Sequence, residues 1–65
     1  MKFVVFREIN QRWYWELRTA DGGPFAKCPM GYSTIEQCFT AIQQLRQHVP
    51  KSLAFDLLGN LHEGV

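Results

Sequence analysis

Residues 12–23 read Arg-Trp-Tyr-Trp-Glu-Leu-Arg-Thr-Ala-Asp-Gly-Gly, an aromatic stretch running straight into an Asp-Gly turn. Side chains alternate along a strand, so Trp13, Trp15 and Leu17 share one face while Tyr14, Glu16 and Arg18 share the other. A strand of this kind ending in Asp-Gly signals a hairpin. The turn calls for a positive φ at Gly22, a conformation that a side chain resists.

The flanking sequence extends the same architecture. Residues 2–7, Lys-Phe-Val-Val-Phe-Arg, are β-branched and aromatic, and Glu8-Ile9-Asn10-Gln11 gives a polar connection to the Trp13 strand. Beyond the Asp-Gly turn, residues 24–28 predict a short third strand, with Pro24 tolerable at its start or on an edge. Cys28-Pro29-Met30-Gly31 breaks the pattern, and Ser33-Thr34-Ile35-Glu36 has the form of a capping box, with Ser33 as N-cap and Glu36 reaching back. Ile35, Cys38, Phe39, Ile42, Leu45 and Val49 then recur at spacings of three and four, which predicts an amphipathic helix ended by Pro50. Leu53, Phe55 and Leu57 alternate with Ala54 and Asp56, which predicts a last strand after the helix. The fold class expected is α+β: a three-stranded antiparallel sheet, one helix and a C-terminal strand, in the order β-β-β-α-β. One domain spans residues 1–58, and residues 59–65 form a loosely held tail.

A chain of 65 residues buries a limited share of its surface and needs further support. Its two cysteines, Cys28 and Cys38, follow no secretory leader, which points to free thiols in a cytoplasmic protein. Cys28, Cys38, His48 and His62 lack the paired spacing of a zinc site, so no metal or other cofactor is expected. No apolar run approaches the roughly 20 residues of a membrane span. Seven Lys and Arg against six Asp and Glu, well interspersed, leave no basic field for polyanions and argue against a nucleic-acid partner. Oligomerisation is the remaining support. Both faces of the first strand are apolar, Phe3 and Val5 on one and Val4 and Phe6 on the other, whereas one helix covers one face. A second copy of the chain is the simplest cover.

The run Trp13-Tyr14-Trp15-Glu16-Leu17-Arg18, the Ala20-Asp21-Gly22 turn, Phe25-Ala26, Gly31-Tyr32-Ser33, the helix positions Cys38, Ile42 and Leu45, and the exit at Pro50 together resemble the YegP-like family of small domains of unknown function. The similarity covers about residues 2–56. It implies a single repeat that forms a homodimer by exchanging C-terminal strands, and it carries over no catalytic residue. Two departures touch the third strand: the spacing from Gly22 to Gly31-Tyr32 is one residue longer than the family pattern, and Gly23-Pro24 replaces a polar and aliphatic pair.

The chemistry-bearing residues each have a structural reading. Trp13 and Trp15, with Arg12 and Arg18 beside them, have the composition of a base-stacking face, and the same stripe reads as core or dimer contact. Tyr14, between two arginines on the other face, is the better exposed contact. Cys38 lies on the helix stripe and behaves as a small hydrophobe. Cys28, ahead of Pro29 in a loop, is the thiol expected to be open to oxidation. His48 suits a helix C-terminus, and Ser33 lacks a nucleophile elbow. No paired carboxylates and no nucleophile beside a base are visible, so no enzyme is expected. The expected function is a homodimeric, non-catalytic interaction or accessory module that binds a protein or small ligand, with Arg12, Tyr14, Arg18, Met30 and Tyr32 as contact residues. The alternative is a weak nucleic-acid-binding module that uses the aromatic sheet face.

Overall fold

The computed structural model describes residues 1–64. Three antiparallel strands, β1 (Lys2–Arg7), β2 (Trp13–Arg18) and β3 (Pro24–Lys27), form a sheet in the order β1-β2-β3. One helix, α1 (Ile35–His48), follows, and a single 3₁₀ turn at Val49–Lys51 carries Pro50. The class is therefore α+β, as the sequence pattern predicts.

β1 and β2 pair from Lys2 opposite Arg18 to Arg7 opposite Trp13. This register puts Phe3, Val5, Trp13, Trp15 and Leu17 on one face and Val4, Phe6, Tyr14 and Glu16 on the other, since paired residues in an antiparallel ladder point the same way. The two hairpins share one turn design. Gln11 donates its amide to the Glu8 carbonyl at 2.9 Å, and Gly22 donates to the Thr19 carbonyl at 3.0 Å. Each turn is closed by a residue in the left-handed region, Gln11 at φ 66° and Gly22 at φ 88°. A type I turn followed by a left-handed residue is a common three-residue hairpin loop. Gly22 occupies the position the sequence assigns to it.

β3 ends at Lys27, and its ladder with β2 is interrupted: Leu17 opposes Ala26 while Arg18 opposes Pro24, which leaves Phe25 as the extra residue of a bulge. A bulge absorbs one residue and bends its strand. The chain then returns to β2, where Tyr32 bridges Trp13 through two hydrogen bonds of 2.8 Å.

The helix begins one residue later than Ser33 implies. Thr34 is the N-cap, its hydroxyl accepts from the Gln37 amide at 3.2 Å, and the Gln37 side chain accepts from the Thr34 and Ser33 amides. Ser33 adds its own hydroxyl to the Gln37 side chain at 2.9 Å. Ser-Thr-Ile-Glu-Gln holds two overlapping capping boxes, and the chain uses the second, with Ser33 in the bend between the Tyr32 bridge and the helix.

The core is Trp15, Cys28, Cys38 and Ile42, with Phe3, Val5, Leu17, Tyr32 and Leu45 packed around it. Phe3 meets the Trp15 ring edge-on at 5.5 Å, a favourable aromatic geometry. Two expectations need correction. Phe39, expected on the apolar stripe, is 53% exposed on the flank of α1, and the stripe's buried residues are Cys38 and Ile42, which pack with Trp15. Val49 is also exposed, although its helical dihedrals and its amide bond to the Leu45 carbonyl keep it on the stripe.

Residues 52–58 form no strand. Phe55 makes a single antiparallel bridge, to Leu61, in place of a ladder with the sheet. The molecule is 40 Å long with a radius of gyration of 14.1 Å, against about 11 Å for a packed domain of this length. Neither a 14-residue helix nor a six-residue strand exceeds about 21 Å. The excess length belongs to the arm after Lys51, whose described residues are exposed apart from Ala54. Of the tail predicted for residues 59–65, residues 59–62 take part in this arm's turn and bridge, and Val65 lies outside the described residues.

Candidate interaction surface

Helix α1 lies over β1 and β2 and leaves β3 uncovered. All four β3 residues are accordingly exposed, although they belong to the sheet. Between the uncovered strand and the end of the helix runs a groove of about 500 Å³, lined by Phe3, Leu17, Phe25, Leu45, Val49 and Pro50 over a floor that includes Trp15. The bulge puts Phe25 on this side. Its walls are almost wholly carbon, and Arg46 is the one charged side chain at its rim. An apolar trough this size on so small a domain marks an interaction surface.

The arm that leaves the groove's end is its chemical match. Leu53, Phe55, Leu57 and Leu58 are all exposed, the last two almost completely. The exit is set by Ser52, whose amide and hydroxyl both donate to the Val49 carbonyl, at 2.9 and 2.6 Å. Groove and arm thus leave two apolar surfaces open to water in one molecule.

The opposite face of the sheet is built differently. Phe6 and Tyr14 stack at 6.0 Å between centroids, Asn10 donates to the Tyr14 hydroxyl at 2.9 Å, and Arg18 pairs with Glu16 at 2.7 Å. Arg12 donates to the Gly31 carbonyl at 3.2 Å. A methyl group on Gly31 would stand 2.7 Å from Arg12 Cβ and 2.8 Å from the Tyr14 ring. Arg12 and Tyr14 therefore come together against Gly31, and the exposed Met30 is its neighbour in the chain. The two other residues expected as contacts do not join them. Arg18 is held by Glu16 at the far end of β2, and Tyr32 packs against the core beside Trp13.

Cys28 is 3% exposed and Cys38 fully buried. The expectation of an open thiol at Cys28 is corrected by the backbone: its amide donates to the Trp15 carbonyl, so the chain turns inward there before Pro29 leads it out. Burial, and secondarily the nearby Cys28, hold the Cys38 thiol above its ordinary value. Both cysteines are free. Among the described residues no group of three His, Cys, Asp or Glu is placed to hold a metal ion, and no helix is long and apolar enough to cross a membrane.

The sequence reading missed Phe25, Leu45, Val49 and Pro50 as one surface. The available signal was Pro24, a residue that sheets confine to edges and bulges, and the bulge beside it turns Phe25 toward the helix. Compared with known proteins, the chain matches no family model, no curated protein and no solved structure.

Proposed function

We propose that the chain is a self-associating, non-catalytic module of the YegP-like kind, in which the arm after Lys51 of one copy covers the apolar groove of a second. The observation that carries this reading is the pairing of an open groove over β3 with an exposed apolar arm that starts at the groove's end. A two-fold dimer closes both arms into both grooves with one set of contacts. It also relieves the shortage of buried surface that a 65-residue chain faces alone. The outer face, with Arg12, Tyr14 and Met30 at one end, is then the surface left to a protein or small ligand. Two free, buried thiols support a reducing compartment, the cytoplasm.

Nucleobase stacking would need open aromatic faces. Trp15 lies beneath the helix and Tyr14 is stacked on Phe6, so this reading is the weaker one. Light scattering behind size exclusion at micromolar concentration tests the proposal: a mass near twice 7.6 kDa is expected, and a 7.6 kDa species rejects it. Anisotropy of labelled single-stranded oligonucleotides across a salt series tests the alternative, because phosphate contacts impose a steep salt dependence.

A further inference from the structure

The arm is itself folded. The Asp56 carbonyl accepts from the Gly59 amide at 3.1 Å, the Asp56 amide donates to the Asn60 carbonyl at 3.1 Å, and the His62 amide donates to the Ala54 carbonyl at 2.8 Å. Gly59, at φ 85°, closes the loop. This is the same turn that joins β1 to β2 and β2 to β3, with Gly59 in the place of Gln11 and Gly22. The Asp56 carboxylate fixes it, accepting from the Leu58 and Asn60 amides at 3.0 Å each, from the Asn60 side chain at 3.3 Å and from the His62 ring at 3.2 Å.

Alternation then sorts the ribbon's two faces. Ala54, Asp56, Asn60 and His62 share one, and their polar groups are paired with one another. Leu53, Phe55 and Leu61 share the other, with Leu57 and Leu58 at the tip, where turn residues are ordinarily polar. A two-stranded ribbon alone in water is marginal. One with its polar face satisfied and its apolar face open is complete only against another surface.

We infer that residues 53–62 dock onto the groove of a second copy as this preformed ribbon, apolar face inward, and not as an extended strand added to the sheet. The inference rests on the self-association proposed above. An extended strand would strip Asp56 of its donors and turn Leu58 away from Leu53, Phe55 and Leu57. The ribbon keeps every polar contact and presents all five apolar side chains. The second copy is the occupant because no described residue past Pro50 lines the arm's own groove: the chain leaves it at the turn closed by the Ser52 bonds to Val49 and stays exposed.

Three variants of the full chain test it, each measured by light scattering and sedimentation equilibrium, with Trp15 fluorescence confirming a folded body. Asp56→Ala removes the turn's acceptor, and Gly59→Val puts a β-branched residue at a positive φ; neither touches an apolar contact. Both are expected to weaken dimerisation by about tenfold or more. Ala54→Cys with His62→Cys, oxidised to a disulfide by diamide, locks the ribbon across its polar face and is expected to dimerise at least as well as the parent. If the first two variants dimerise like the parent, or oxidation of the third gives monomers, the extended strand is the docking form and the inference falls. A monomeric parent overturns the underlying self-association instead.

Discussion

Trp15 and Cys28 meet twice across the edge of β2: the Trp15 amide donates to the Cys28 sulfur at 3.3 Å, and the Cys28 amide donates to the Trp15 carbonyl at 3.2 Å. The pairing draws the strand end inward and seals the thiol under the helix. Reaction with a thiol reagent requires a thiolate and access, and both cysteines lack access. Neither should react with Ellman's reagent in the native protein at neutral pH, and both should react in guanidinium. Rapid labelling of Cys28 alone in the native state would show that the Cys28–Gly31 bend opens.

Trp15 carries the largest share of the core, so Trp15→Ala is expected to destabilise the fold by about 3–5 kcal/mol. Its buried indole N–H meets no acceptor among the described residues, so Trp15→Phe should cost much less, about 1–2 kcal/mol. Phe39→Ala should cost under about 1 kcal/mol, since half of that ring is already in water. Thermal or urea unfolding ranks the three. Equal losses for Trp15→Ala and Phe39→Ala would reject the packing described.

The shared hairpin turn makes opposite expectations for two positions. Gly22→Val places a β-branched side chain at φ 88° and should destabilise by about 1 kcal/mol or more, although nothing lies within 4 Å of the new Cβ. Gln11 holds a similar conformation without being glycine, so Gln11→Gly should stabilise by up to about 1 kcal/mol. Gly31→Ala is a third case, in which the fault is crowding against Arg12 and Tyr14, with an expected cost of about 1–3 kcal/mol. Urea melts of the set separate strain from collision.

The strands, the Gly22 turn and the helix stripe were legible because each is a local pattern: alternation in Trp13–Arg18, Asp-Gly, and a three-four repeat from Ile35. The choice between Ser33 and Thr34 was not, because both capping boxes are sound locally and Ser33 follows directly on the Tyr32 bridge, a long-range contact. Alternation also predicts a strand at Leu53–Leu57, and it fails because Asp56, Gly59 and Asn60 form a turn whose loop holds two leucines, a composition that reads as strand. Nor could periodicity show the groove. It depends on the helix covering two strands of three, which is set by packing. Thr34→Ala should cost about 1 kcal/mol and Ser33→Ala distinctly less, a comparison that thermal melts can make directly.

Two turns carry carboxylates that the fold favours in their charged form. Asp21 is held below its ordinary value chiefly by the Thr19 hydroxyl and then by the Gly23 amide. Asp56 is held below its own chiefly by the Asn60 amide and then by His62. Because the folded values lie under the unfolded one, each turn is fully stabilised above pH 3.8 and loses that contribution as the pH falls through the lowered folded value. The melting temperature should therefore hold from neutral pH to about 4 and drop below it. Asp21→Asn with Asp56→Asn keeps an acceptor oxygen at each turn while removing the titration, so the double variant should lose less on acidification than the parent. An acid limb of the same steepness in both proteins would assign it to other carboxylates and show that these two turns are not held by their charge.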